Sequence, residues 1–297
     1  MEAIEQLHDQ LDSLDELRTI VKTMKALSAA SVRQYEQAVD ALASYYRTVE
    51  RGLHVVLKDM QQPVATYNNT HEPQRLAAIV FGSDHGLCGR FNEEIATYAL
   101  EHLKETQFDA PHRLVLAVGA RVAGSLEQEN QLVEDNFMVP GSAVQITATV
   151  QQILLKIDEW REQSNVQDVY LFYNRHSERG SYQPTGFRLL PVDISRFREV
   201  ERQRWPSRSL PTFTMNRESL LRRLLNQYLF VTIFRGCAES QASEHSSRLA
   251  AMQSAERNLD DRIEEVTMEF RRARQNAITA ELLDVVMGFE TLTAGKS

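Results

Sequence analysis

The residues that could carry chemistry gather in one loop. Gly82–Asn92, GSDHGLCGRFN, follows a short apolar run and opens a helical stretch. Phosphate-binding loops occupy that position, because backbone N–H groups at a helix N-terminus attract anions. The spacing, however, is neither GxGxxG nor GxxxxGK[ST], and no lysine follows Gly89. The competing reading is a tight strand-to-helix turn whose glycines take positive φ. Cys88 stands three residues from His85, a spacing that could pair a nucleophile with its base. No third residue that would orient such a base is identifiable, and a small buried cysteine is the commoner case. Ser83 and Asp84 read as turn or capping groups.

Elsewhere the chemistry thins out. The eight histidines are scattered without an HxxxH or HExxH pair, and Cys88 and Cys237 form no CxxC. A zinc site or disulfide framework is therefore not expected, and two lone cysteines fit a reducing cytoplasm. No cofactor is expected. Arg196, Arg198, Arg202, Arg204 and Arg208, interleaved with Phe197 and Trp205, form a basic cluster. It reads as a contact for acidic surfaces or as a solvated face. Arg271, Arg272 and Arg274 with Gln275, and Lys22 with Lys25, share helix faces and could meet either solvent or a partner. The net charge of −8 argues against general nucleic-acid binding. No run of about 20 apolar residues is present to span a bilayer. The first residues, MEAIEQLHDQ, lack the basic-then-apolar pattern of a secretory signal.

The elements that must position these residues are unusual for their length. Met1–Gly52 holds no proline and no glycine before Gly52. Ile4, Leu7, Leu11, Leu14, Leu17, Val21, Met24 and Leu27 step by three and four, as do Tyr35, Ala38, Leu42, Tyr45, Val49 and Leu53. About 50 residues rising roughly 1.5 Å each predict a helix of about 75 Å. After Pro211 no proline recurs. Leu249, Met252, Leu259, Ile263, Val266, Phe270, Ala273, Ala277, Ala280 and Leu283 repeat the stripe, in a helix starting near Arg217. Gly236 is its expected weak point, and Gly288 marks expected fraying. A narrow stripe on so long a helix needs an equally long partner, and each terminal helix offers itself to the other.

The middle changes period. Leu76–Phe81, Leu114–Val118 and Val169–Tyr173 read as buried strands, with a further extended segment at Thr185–Val192. They alternate with helical stretches at 93–104, 121–128 and 144–160. That alternation predicts a largely parallel sheet in a Rossmann-like α/β domain. The expected organisation is a helix over 1–57, an inserted α/β domain over 75–195 and a second helix over 212–297. Asn68–Pro73 and Arg204–Pro211 read as connectors. The two terminal helices would form an antiparallel coiled coil. A coiled-coil scaffold carrying a partner- or ligand-binding α/β module satisfies the same pattern.

Three segments carry a family resemblance. KTMKALSAA at Lys22–Ala30 resembles the N-terminal helix motif of the gamma subunit of F-type ATP synthases. SEHSSRLAAM at Ser243–Met252, with RARQNAITAEL at Arg272–Leu282, is similar to that family's C-terminal signature. Gly82–Asn92 is similar to the turn after the first strand of its central domain. The resemblance implies a central-stalk rotor seated in a ring of alpha and beta subunits, near the epsilon subunit and the membrane c-ring. It implies that ATP chemistry belongs to the beta subunits, and that the chain lies peripherally at the cytoplasmic face of a bacterial membrane. By position it implies ring contacts at Met24, Lys25, Ser243, Glu244, Arg274, Gln275, Thr279 and Glu281. The run Leu17–Lys22, the pair Phe270 and Arg271, and Leu259–Ile263 depart from the family pattern and imply a divergent branch.

Overall fold

The computed structural model describes residues 2–57, 75–176, 181–193, 197 and 211–294, with side chains described from residue 4 and as far as residue 287. The connector Asn68–Pro73, Arg204–Leu210 and the five arginines of the basic cluster lie outside them. The terminal helices are α1, Glu2–Leu57, and α5, Arg217–Ala294, the latter unbroken through Gly236 and Gly288. Between them come β1 (Arg75–Phe81), α2 (Phe91–Lys104), β2 (Arg113–Val118), α3 (Ala120–Gln128), β3 (Asp135–Phe137), α4 (Ile146–Gln163), β4 (Val166–His176) and β5 (Tyr182–Leu190).

The strands form one sheet in the order β3-β2-β1-β4-β5. The first four are mutually parallel, and β5 runs antiparallel along β4. β1 is buried on both faces, which explains its continuous apolar run where a half-exposed strand would alternate. Leu76, Ala78 and Val80 pack with Ile95, Ala99 and Leu103 of α2 and with Val122 and Leu126 of α3. Ala77, Ile79 and Phe81 face the opposite side, where Val150, Ile153 and Ile157 of α4 complete only part of the cover.

The rest of that second face is supplied by the terminal helices. Tyr35, Val49, Leu53 and Val56 of α1, with Leu221, Leu229, Ile233, Cys237, Ala238 and Ala242 of α5, belong to the same buried cluster. The chain accordingly divides into a compact unit, Ala29–Arg248, and a second unit made of Met1–Ser28 with Leu249–Ser297. The inner halves of both helices thus pack on the sheet and on each other, as Tyr46 with Tyr228 and Tyr45 with Gln227. Gly236 has its reason here. A Cβ on it would come 3.2 Å from Leu171 Cδ2 of β4, so the missing side chain lets α5 lie close against the sheet. It is a packing point and not a weak joint.

Candidate functional site on the paired helices

The Gly82–Asn92 loop keeps its polar groups for the chain itself. Gly82 N donates to Val118 O at 2.9 Å, and Arg121 N donates to Ser83 O at 2.9 Å. Ser83 N donates to Asn92 Oδ1 at 2.9 Å, and Asn92 Nδ2 returns a bond to Ser83 Oγ. The Asp84 carboxylate accepts from Ala120 N and Val139 N, each at 2.9 Å, and so caps the start of α3. Of the loop's three glycines only Gly89 takes positive φ, joined there by Leu87. Gly82 is required for space instead. A Cβ would land 2.3 Å from Val122 Cβ and 2.7 Å from Asn92 Oδ1. Gly82→Ala is expected to destabilise the chain by about 1–3 kcal/mol through overpacking, measured as a shift in urea midpoint.

Cys88 and His85 do not make a nucleophile and base. The Cys88 thiol is buried 3.6 Å from Asn92 Nδ2 and 3.7 Å from Ser83 Oγ. Burial pushes its pKa up, against a smaller lowering by the Ser83 hydroxyl. His85 meets Cys88 through its backbone carbonyl at 3.8 Å while its residue stays exposed.

What the loop receives is α5. Arg248 Nη2 donates to the carbonyls of His85 and Gly86, at 3.2 and 3.3 Å, and pairs with Glu244 Oε1 at 2.7 Å. Ser247 Oγ donates to Cys88 O at 2.7 Å, and Ser243 Oγ lies 2.9 Å from Asn174 O on β4. Ser243 and Glu244, which the resemblance places against a ring, are buried in the chain's own interior. Ser247 and Arg248 were not singled out in the sequence. Their signal is the i, i+4 spacing of Ser243 with Ser247 and Glu244 with Arg248 on a helix face that must also bury Ala242 and Met252.

Burial sets the electrostatics of this junction. It raises the Glu244 carboxyl above its usual range, opposed by Arg248. It lowers His245 to about 4, with the Arg248 guanidinium adding to the effect. Tyr35 stacks on His245 at 5.6 Å and donates to Pro140 O, its own pKa pushed up to about 12 by burial. For His245 the folded value lies below the ordinary 6.5. Its stability contribution is therefore complete above pH 6.5 and lost as pH falls through about 4. Glu244 works oppositely, since a raised carboxyl favours the fold below its unfolded value. His245→Gln is expected to flatten the stability profile between pH 6.5 and 4 by roughly 2 kcal/mol, read from urea unfolding at each pH. An unchanged slope would remove His245 from the acid response.

The outer unit presents the exposed residues. His8 packs on Phe270 with ring centroids 6.0 Å apart, Arg18 Nε lies 2.7 Å from Asp260 Oδ1, and Lys25 pairs with Glu256. As α1 is followed towards its N-terminus its partners move towards the C-terminus of α5, so the helices are antiparallel. Burial recurs on α1 at Ile4, Leu7, Leu11, Leu14, Arg18, Val21, Lys25 and Ser28, in strict steps of three and four. The apolar stripe read through Leu17 and Leu27 is thereby corrected. Leu17 and Leu27 are 50% and 64% exposed, while charged Arg18 and Lys25 hold the seam. Met24 is half-buried beside it, and Arg274, Gln275, Thr279 and Glu281 are exposed on α5.

A family model described as ATP synthase matches residues 3–292. The chain belongs to the gamma-chain family of F-type ATP synthases. It is 29% identical over 299 residues to the ATP synthase gamma chain of Anaeromyxobacter sp. (strain Fw109-5), covering 98% of this chain and 100% of that one. It is 27% identical over 299 residues to that of Syntrophus aciditrophicus (strain SB), covering 99% and 100%. The fold is shared with a chain of the Euglena gracilis mitochondrial ATP synthase assembly of OSCP, F1 and c-ring, at a TM-score of 0.63 and 15% identity, over 100% of this chain and 96% of that one. It is shared also with a chain of the Tetrahymena thermophila mitochondrial ATP synthase central stalk and c-ring, at 0.54 and 19%, over 80% and 99%. Among the described residues no helix is long and apolar enough to cross a membrane.

Proposed function

We propose that this gamma chain is the central-stalk rotor of an F-type ATP synthase or ATPase. It would couple ATP synthesis or hydrolysis in an alpha/beta ring to ion movement through a membrane c-ring. Membership of the family along nearly the whole chain carries this reading. The antiparallel helix pair supplies its mechanical part. An asymmetric two-helix shaft presents a different side to each ring site, so shaft angle and site affinity become coupled in both directions. The chain itself would contribute no catalytic group, since ATP chemistry falls to the beta subunits, and it would sit peripherally on the cytoplasmic face of the membrane with the epsilon subunit beside it. The shaft contacts we assign to the ring are Met24, Lys25, Arg274, Gln275, Thr279 and Glu281. Ser243 and Glu244, which the resemblance adds to that set, are buried in the chain and tie α5 to β4 and to the loop through Arg248. Identities below 30% to these relatives fit a divergent branch.

Co-expression with alpha and beta subunits tests the reading. A stable ring holding a single copy of this chain is the expected product. A monodisperse chain with no affinity for the ring would leave the scaffold reading in its place.

A further inference from the structure

We infer that the outer helix pair has two chemically different sides, and that its apolar side is a groove for one amphipathic helix of the alpha/beta ring. This assignment rests on the rotor reading and gives the shaft a gripping side, made largely of residues that the family resemblance does not supply.

Among the described residues of α1 up to Ser28, three large apolar side chains are at least half exposed: Leu17 at 50%, Ile20 at 55% and Leu27 at 64%. With half-buried Met24 they step by three, four and three. At about 100° per residue all four fall within roughly 80° of the helix circumference. A single exposed leucine needs no explanation, but a ridge at this spacing is what one helix offers to another. Met24 joins the ridge to the seam, so the apolar surface of α1 runs on past the flank that α5 covers.

The ion pair Arg18–Asp260 marks the other side. There Arg18 also lies 3.9 Å from Asp15, and Lys25 first, then Lys22 and Arg18, hold the Glu256 carboxyl below its usual range. The ridge residues stand roughly 100–180° round α1 from Arg18, and half-buried Ala251 and Ala255 stand about 140–180° round α5 from Asp260. Ridge and alanines therefore line the same side, opposite the charges. Small side chains on α5 beside long ones on α1 make an apolar groove about 15 Å long, the rise of ten helical residues. Knobs three and four residues apart mesh with a helix of the same spacing, whereas a strand repeats every second residue. The shaft has one such groove on this side, so one copy of the ring's helix engages it at a time while the other copies meet polar flanks.

The test uses the full chain assembled with alpha and beta subunits. A photoreactive benzophenone side chain is placed at Ile20 and, in a separate variant, at Lys22, which is exposed at the same level on the charged side. Ile20 should capture a helix of an alpha or beta subunit, at positions three and four apart, in several times the yield from Lys22. Leu17→Gln, Ile20→Gln and Leu27→Gln together should weaken retention by the ring at least about tenfold, with helicity of the free chain unchanged. Lys22→Gln should stay within about twofold of the parent. Should the triple variant lose helicity, the capture ratio decides. Equal capture from both sides, capture of a loop, a strand or a second copy of this chain, or retention unmoved by the triple variant overturns the groove and leaves the rotor reading standing. A parent chain that holds no ring defeats the rotor reading itself, and the groove with it.

Discussion

Arg248→Ala is expected to lower the unfolding free energy by about 3–5 kcal/mol. Arg248 and Glu244 are 6% and 5% exposed, so the pair is nearly dry. The substitution removes the guanidinium that compensates the Glu244 carboxylate and leaves the carbonyls of His85 and Gly86 without their donor. Burial already pushes the Glu244 carboxyl upwards, and without Arg248 it would go further. The variant should therefore regain stability as pH falls, as a neutral carboxylic acid tolerates burial better than its anion. Removing both charges should cost less than removing one. Arg248→Met with Glu244→Leu keeps volume while eliminating the orphaned charge, so it should recover part of the loss. Urea unfolding of the full chain followed by circular dichroism gives all three values. A loss below about 1 kcal/mol in Arg248→Ala would mean that solvent reaches the pair.

How much of this was legible depends on whether the cause is local. The terminal helices were, because missing breakers and steps of three and four act within each segment. The central strands β1, β2 and β4 were, because burial on both faces demands an unbroken apolar run. β3 was not. Asp135–Phe137 is three residues, two of them polar, held extended by pairing with Leu116–Val118. β5 begins earlier than Pro184 implied, since β5 is an edge strand and an edge tolerates proline. The burial of the junction was not legible, for the same non-local reason. Ser243 and Glu244 look like surface polar groups until the loop at His85–Cys88 arrives 160 residues away in sequence and covers their helix. Leu17 misled the stripe because Leu17 and Arg18, one position apart, lie only about 100° apart on a helix. Only the partner helix selects between them, and its carboxylates at Glu256 and Asp260 favoured the cations.

Ala273→Pro should separate shaft from core. Proline in a helix interior removes one hydrogen-bond donor and clashes with the carbonyl four residues before, at about 3 kcal/mol or more. Ala273 is a partly buried seam position, one turn beyond the Phe270 contact with His8, within the helix that runs to Ala294. The buried clusters that hold Ala29–Arg248 together contain no residue beyond Ala242, so a kink at 273 takes nothing from them. The purified variant should therefore keep its main thermal transition within a few degrees of the parent. In the assembled complex the kink displaces Arg274, Gln275, Thr279 and Glu281 together, and ATP-driven ion pumping should be lost while ATP hydrolysis persists or the ring falls apart. Ala273→Gly supplies the comparison. It costs about 1 kcal/mol of helix propensity without a kink and should keep pumping. Full pumping by the proline variant would show that coupling does not pass through a continuous helix at this level. Loss of the main thermal transition would show that the outer helix pair supports the inner core after all.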